Sequence, residues 1–234
     1  MRNLAIGDVV KVADGKYEPI YSFGHKNNKS SAEFLQITTN TNRPLEISKD
    51  HMILLEGGRF VPASMVRKGD MLVNGLGELV LVQTMRKIIR KGVYAPFTQS
   101  GTLVVDNIVA SNYIAYQDSE YLTIAGFYYF SYHWLAHTFQ SVHRLAVVMG
   151  FVDETYTDAG VSHWVHLPHE FGLWLVEQQA LVVVAILIPC ISLFGFLSIL
   201  EALVTNPITF STFVVGLVTL LTASQCVYFR TTKR

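Results

Sequence analysis

The histidines of this chain are its most concentrated set of chemically useful side chains. Six of the eight lie within residues 133–169. His133 and His137 are four residues apart, so both fall on one face of a helix. Three others follow at three-residue intervals, namely His163, His166 and His169. Because imidazole is the commonest metal-binding side chain, this spacing could support a metal site, although Pro168 interrupts one helical face.

The cysteines are poorly placed for chemistry. Cys190 and Cys226, the two cysteines of the chain, each lie in a long uncharged segment. That setting is typical of small core or lipid-facing residues and not of nucleophiles. Two cysteines also exclude a disulfide scaffold and a Cys-based metal cluster. Residues 1–189 contain no thiol.

The overall composition excludes some classes of protein. The chain has 234 residues, of which 50% are hydrophobic and 15% are charged. Lys plus Arg and Asp plus Glu both number 18, so there is no basic excess and we expect no nucleic-acid partner. The hydrophobic content excludes an intrinsically disordered chain. A mean hydropathy of +0.33 indicates membrane segments.

Two uncharged runs near the C-terminus, residues 178–200 and 202–229, have the length of membrane spans. Each exceeds the ~20 apolar residues that a helix needs to cross a bilayer core. The pattern therefore predicts transmembrane helices at Leu181–Leu200 and Pro207–Phe229, joined as a hairpin. A buried hairpin of a soluble bundle is the alternative. The basic residues that follow predict a cytosolic C-terminus.

A third uncharged stretch, Tyr121–His143, is aromatic and holds three histidines. Tyr and Trp favour the membrane interface, whereas histidines are unfavourable in lipid. We therefore expect an interfacial or partly inserted helix here.

Residues 1–119 have the pattern of an all-β domain. Short runs rich in Val, Ile, Tyr and Thr alternate with Gly, Asn and Asp turn signals. The predicted strands are Val9–Val12, Tyr17–Phe23, Phe34–Thr38, Met52–Leu55, Leu79–Ile89 and Leu103–Val109. The segment Leu4–Val10 recurs as Val66–Leu72, each with a Gly-Asp pair followed by a hairpin turn. This repeat indicates two pseudo-symmetric halves.

Four ordered blocks resemble the Hint domain, which hedgehog autoprocessing regions and inteins share. The blocks are Leu4–Phe23, Leu45–His51, Gly92–Asp106 and Ala110–Tyr113, and the last is closer to hedgehog regions than to inteins. The resemblance implies an all-β Hint domain, a pseudo-two-fold β fold, over residues 1–118, without its first strand. Weaker similarity at Trp134–His137 and Gly160–Trp164 implies a helical, sterol-recognition-like or interfacial region over residues 119–176. The transmembrane hairpin and basic tail, residues 177–234, resemble those of protist Hint-containing proteins.

The resemblance also implies a chemistry that needs no cofactor and no metal. In the family, a Cys that opens the domain attacks the preceding carbonyl, and water or a sterol hydroxyl resolves the thioester. His51 matches the histidine that protonates the departing amine, and Ser48 stands where the family usually has Thr. His25 matches the position at which hedgehogs use Asp to activate the sterol hydroxyl. We therefore expect three catalytic residues: His51, Ser48 and His25.

The chain departs from the family because it lacks the nucleophilic Cys. We expect this Cys upstream of Met1; the alternatives are an inactive Hint scaffold in a membrane protein or a His-rich membrane metal enzyme. Protein splicing is not expected, because Asn112 is followed by Tyr113 and not by Cys, Ser or Thr. The expected partners are the chain's own upstream N-terminal segment, a sterol or other lipid acceptor, and the membrane. The expected location is the endoplasmic reticulum or secretory pathway, as an integral membrane protein.

Overall fold

The chain forms strands first and helices afterwards. The computed structural model describes residues 1–40, 43–151, 155–206 and 211–212. The strands are β1 (Val9–Lys11), β2 (Tyr17–Pro19), β3 (Ser22–Thr39), β4 (Leu45–Ile47), β5 (His51–Leu55), β6 (Arg59–Pro62), β7 (Met71–Val73), β8 (Leu79–Phe97), β9 (Thr102–Val105), β10 (Ile108–Ile114), β11 (Tyr121–Ile124) and β12 (Phe127–Ser131). The helices are α1 (Tyr132–Phe139), α2 (Ser141–Val148), α3 (His163–Val176) and α4 (Ala180–Thr205). The expectation of a mostly β domain followed by helices is confirmed.

One antiparallel sheet forms the framework of the β domain. Its strand order is β4-β3-β8-β7-β5-β10-β9, and β6 pairs with β5. The longest ribbon joins β3 to β8, from Ser22 opposite Phe97 to Thr39 opposite Val82. The hydrophobic core that these strands form includes the fully buried side chains of Ile37, Ile53 and Leu72. This core fixes the turn between β4 and β5, where predicted site residues lie.

The predicted internal repeat is present in the backbone. Gly7 N–H donates to Ile20 O at 2.8 Å, and Ile20 N–H donates to Asp8 O at 2.9 Å. The second copy makes the same pair of bonds between its Gly-Asp unit and Val82, at 2.9 Å each. Gly7 and Gly69 both have positive φ, 91° and 98°, which only glycine adopts readily. The two copies of the Gly-Asp unit therefore have the same backbone structure, whereas the pseudo-symmetry of the two halves stays a prediction.

Three predicted segments have a different structure, and the first, Tyr17–Phe23, is divided between β2 and β3. Leu103–Val109 is not one strand, because Asp106 and Asn107 take positive φ of 47° and 67° and close a β9–β10 hairpin. Tyr121–His143 is not one interfacial helix: it forms β11, β12, α1 and the beginning of α2. Positive φ at Ala125 and Gly126 turns the chain there. The Ser131 hydroxyl then begins α1 by accepting from Trp134 N–H at 3.3 Å.

The first predicted span lies within α4. The most apolar window of α4 has a mean hydropathy of 2.8, and among the described residues α4 is the one helix long and apolar enough to cross a membrane. The second predicted span, Pro207–Phe229, lies outside the described residues apart from Ser211 and Thr212. The transmembrane hairpin is therefore not confirmed and stays a prediction.

A buried ion pair ties α4 to the rest of the fold. Arg144 Nε lies 2.6 Å from Glu201 Oε1, and a second guanidinium nitrogen lies 2.8 Å from Oε2. The two side chains are only 2% and 5% exposed. Gln99 also donates to Glu201, and Arg144 donates to His137 O at 2.9 Å. The charges are therefore paired and hydrogen-bonded, as buried charges must be.

Glu201→Leu should lower the free energy of unfolding by about 3–5 kcal/mol, because it leaves Arg144 buried and unpaired. In a chain of this size the melting temperature should fall by roughly 10 °C. Circular dichroism in detergent measures this shift. The double variant Arg144→Met with Glu201→Leu should recover most of the loss, and no recovery would contradict the assignment of the effect to an uncompensated charge.

Candidate active site

The tight turn between β4 and β5 holds Ser48 and His51 together. Ser48 follows the last residue of β4, and His51 is the first residue of β5. Ser48 Oγ lies 2.6 Å from His51 Nδ1. His51 is also fixed by pairing with Ile114 of β10. The imidazole is therefore held through Nδ1, and Nε2 is the atom left for contact with a substrate.

The electrostatics of His51 favour an uncharged ring. Burial, together with the nearby His25 imidazole, lowers the pKa of His51 to about 4. The ring is therefore neutral near pH 7. If the Ser48 hydroxyl donates to Nδ1, the ring proton lies on Nε2, which can then donate to a substrate carbonyl or amide.

His25 lies on β3 and faces the same cavity as His51. Its Nε2 lies 2.9 Å from Ala159 O, and its backbone forms a bridge with Val161. Donation from Nε2 to that carbonyl leaves Nδ1 as the ring nitrogen that can accept a proton. The structure thus brings His25, Ser48 and His51 into one neighbourhood, and their catalytic roles stay predictions.

An apolar cavity of about 280 Å³ opens beside the two histidines. It lies between the sheet and the helices, with walls that include Phe97, Leu135, Val165 and Leu187. The lining is mostly apolar, and its polar atoms include those of His25, His51 and Asn112 from the strands and of Gln140 and His169 from the helical region. A mostly apolar cavity with a few polar groups suits an apolar molecule that carries a polar group.

A second depression, of about 330 Å³, leads from the N-terminal residues to the same place. Met1 and Arg2 line it at one end, and Ser48, His51 and Asn112 line it as well. His51 and Asn112 therefore contribute to both spaces. A segment that precedes Met1 would reach the Ser48–His51 pair along this groove.

Asn112 has an orphaned acceptor atom at the junction of the two spaces. The Thr98 hydroxyl donates to Thr102 O at 2.6 Å, so it accepts from Asn112 Nδ2 at 3.0 Å. Asn112 Oδ1 is buried and has no hydrogen-bond partner among the described residues. A buried carbonyl of this kind requires a donor. Sequence reasoning missed this buried acceptor, because its position depends on the side-chain orientation that the bond to Thr98 imposes.

The histidines of residues 133–169 do not share one site. His133 Nδ1 lies 2.9 Å from Ser111 Oγ, and His137 Nδ1 lies 3.2 Å from Tyr113 OH. Burial lowers the pKa of His133 to about 4, and burial with nearby Arg144 lowers that of His137 to about 3. These two rings hold α1 against β10. Across the described ranges, no three His, Cys, Asp or Glu side chains come together in a group that could hold a metal ion.

Comparisons with known proteins agree with this architecture. A family model described as the Hint module matches residues 1–177. Protein hedgehog of Drosophila virilis is 32% identical over 126 residues, which cover 48% of this chain and 26% of that protein. Warthog protein 6 of Caenorhabditis elegans is 29% identical over 124 residues, which cover 47% and 21%. The chain spans about a quarter or less of the length of these relatives.

Among solved structures, the gp41-1 intein matches 47% of this chain and 83% of its own length, at 16% identity and a TM-score of 0.40.

Proposed function

Because this chain belongs to the Hint family, we propose that it is the self-processing domain of a longer precursor and that it transfers the upstream segment to a lipid hydroxyl. The observation that carries this proposal is the position of His51. Its ring lines both the groove that begins at Met1 and the apolar cavity. One imidazole therefore contacts the space for the segment to be cleaved and the space for an acceptor.

In the first step the upstream segment enters the groove and supplies a thiol, as the family resemblance implies. The sulfur attacks the preceding carbonyl carbon, a C–S bond forms and the C–N bond breaks. The thiol proton ends on the departing amine. His51 Nε2 polarises this peptide, and the Ser48 hydroxyl holds the ring in position through Nδ1.

In the second step the acceptor hydroxyl attacks the thioester, so a C–O bond forms and the C–S bond breaks. His25 Nδ1 takes the hydroxyl proton, which returns to the departing sulfur. Asn112 Oδ1 accepts a hydrogen bond from the hydroxyl before the attack, which satisfies this orphaned carbonyl.

The cavity lining favours a lipid as the acceptor. Aromatic and aliphatic side chains form most of its wall, and His25 and His51 supply polar groups to it. A sterol or another lipid alcohol presents one hydroxyl on an apolar body, which fits this distribution. This acceptor is also consistent with the apolar α4 helix and with a location at a membrane of the secretory pathway.

The test uses the chain extended upstream of Arg2 by a reporter and a Cys-led strand. Dithiothreitol should release the reporter by resolving the thioester, and a sterol in detergent should release it as an ester. Release with both reagents supports the proposal. No release in strong thiol would contradict self-processing, whereas thiol release without any response to a lipid alcohol would contradict lipid transfer alone.

His25→Ala should separate the two steps. Dithiothreitol brings its own thiolate, so thiol release should change less than about threefold. Sterol-dependent release should fall roughly 10²-fold, because the hydroxyl loses its base. Reporter release with each reagent measures both effects. An equal loss in both assays would show that His25 supports the fold and does not act in the second step.

Filling the cavity should also affect the second step selectively. Val165→Phe adds a ring to the cavity wall, so sterol-dependent release should fall about tenfold while thiol release persists. Val9→Phe is the matched control, because Val9 is exposed on β1 and does not line the cavity. Unchanged sterol release in Val165→Phe would contradict this cavity as the acceptor site.

A further inference from the structure

The helix α4 has one face that is docked on α1, α2 and the adjoining part of the β domain. Val183, Leu187 and Glu201 are buried, and the Phe194 ring lies 4.6 Å from the Phe139 ring of α1. At 100° per residue these four α4 positions fall within about 40° of one another. They therefore form a single stripe along the helix, which we name the docked stripe.

The docked stripe extends over most of α4. Near its beginning, Val183 packs in one cluster with Leu122 and Leu175. Near its end, Glu201 forms the buried ion pair with Arg144 and accepts from Gln99 of the β domain. The distance between these ends is about 27 Å at 1.5 Å per residue, which is close to the ~30 Å thickness of the hydrocarbon core. An upright α4 would therefore carry polar parts of the β domain into the hydrocarbon, which is unfavourable.

The opposite face of α4 is apolar and uncovered. Leu181 is 84% exposed, and Ile188, Phe196 and Ile199 are also exposed. Residues 178–200 contain no Asp, Glu, Lys or Arg. This outward face has no covering element among the described residues.

The β11–β12 hairpin adds a second uncovered apolar surface. Phe127 and Tyr128 at its tip are 69% and 72% exposed. The inner hairpin residue Leu122 packs in the same cluster as Val183 of α4. Trp134, which stacks on Phe130 at 5.1 Å, continues this surface onto α1. The hairpin tip and the outward face of α4 therefore belong to neighbouring elements.

We propose that α4 lies along a lipid bilayer, not across it, and that its outward face and the hairpin tip form one membrane-contacting surface. Lipid is the occupant because residues 121–143 and 178–200 lack charged side chains, whereas protein interfaces carry polar rims. Tyr and Trp beside an apolar helix are typical of the interfacial zone. The ion pair keeps α4 on α2 while the opposite face enters the lipid. This inference does not depend on self-processing.

Tryptophan quenching in vesicles tests the proposal on the full chain. The starting protein carries Trp134→Phe and Trp174→Phe. It keeps Trp164, whose Nε1 is buried, and the fluorescence of Trp164 serves as the baseline signal. Into this starting protein we place Leu181→Trp or Ile188→Trp, two exposed positions on the outward face of α4, one at the beginning of the helix and one two turns further along it. Phosphatidylcholine vesicles contain lipids brominated either near the headgroup or near the end of the tail.

A helix that lies along the surface predicts equal depth for both new tryptophans, each quenched at least twofold more by the shallow bromines. A spanning helix would place residue 188 about 10 Å deeper than residue 181, so stronger quenching of Ile188→Trp by the deep bromines would overturn the proposal. Absence of quenching at both positions, with dimers in gel filtration, would make a second copy the occupant and would also overturn it. Trp134, measured in the Trp174→Phe variant against the same Trp164 baseline, should show the same shallow quenching; no quenching above that baseline would remove the hairpin from the surface.

Discussion

His51→Ala will abolish thiol-induced release of an upstream reporter from the Cys-extended chain, with a rate at least 10²-fold and up to about 10⁴-fold below that of the parent. The ring contacts Ser48 Oγ at 2.6 Å and lines the groove that leads from Met1. Its loss removes the group that polarises the scissile peptide. Ser48→Ala should have a smaller effect, roughly tenfold, because the ring loses its hydrogen bond but not its place in β5. Gel quantification of reporter release over time measures both rates.

His163→Ala is the matched control for this experiment, because it removes an exposed imidazole at the beginning of α3. It should leave the rate unchanged. A rate for His51→Ala within threefold of that of the control would contradict a catalytic role for His51.

Acidification from pH 7 to pH 5 should lower the free energy of unfolding by several kcal/mol. The folded-state pKa values of His51 and His133 are about 4 and that of His137 is about 3, all below the ~6.5 of an unfolded chain. Their contribution to stability is therefore fully present above about pH 6.5 and is lost as the pH falls toward 3–4, because the unfolded chain binds the protons first. Each histidine adds about 1.4 kcal/mol per pH unit to the slope within that window. Urea unfolding followed by near-ultraviolet circular dichroism at each pH measures the slope.

Substitution of single histidines shows which rings cause this pH dependence of stability. His133→Gln should make the slope shallower by about one proton, whatever its effect on absolute stability. His163→Gln, at an exposed position, should leave the slope unchanged. A slope that stays the same in His133→Gln would show that this ring is protonated in the folded state.

The β domain could be predicted from local sequence patterns. The Gly-Asp repeat needs Gly7 and Gly69 at positive φ, so it leaves a mark in residue type that can be read without a structure. The turn at Asp106 and Asn107 was missed because the apolar run continues on both sides of it. The hairpin turn at Ala125 was missed for a stronger reason: alanine rarely adopts its observed φ of 51°, so its residue type gives no signal.

The candidate site was predictable only in part. Ser48 and His51 are three residues apart, and one turn holds both. Their contact could therefore be predicted from their spacing in the sequence. The cavity was not predictable, because its walls come from β8, α1, α3 and α4 and depend on how these elements pack. The docking of α4 was missed for a related reason. Its composition satisfies the length rule for a span, and only the three-dimensional partner of Glu201, Arg144, shows that one face is covered.

The mass of the released upstream segment tests the central claim most directly. The Cys-extended chain is incubated with a sterol in detergent, without added thiol, and the products are analysed by intact mass spectrometry. Transfer to the lipid hydroxyl predicts a segment whose mass equals that of its free acid plus the sterol minus one water, and His25→Ala should suppress this product. A released segment that has only the mass of the free acid, or a chain that stays intact, would contradict the account.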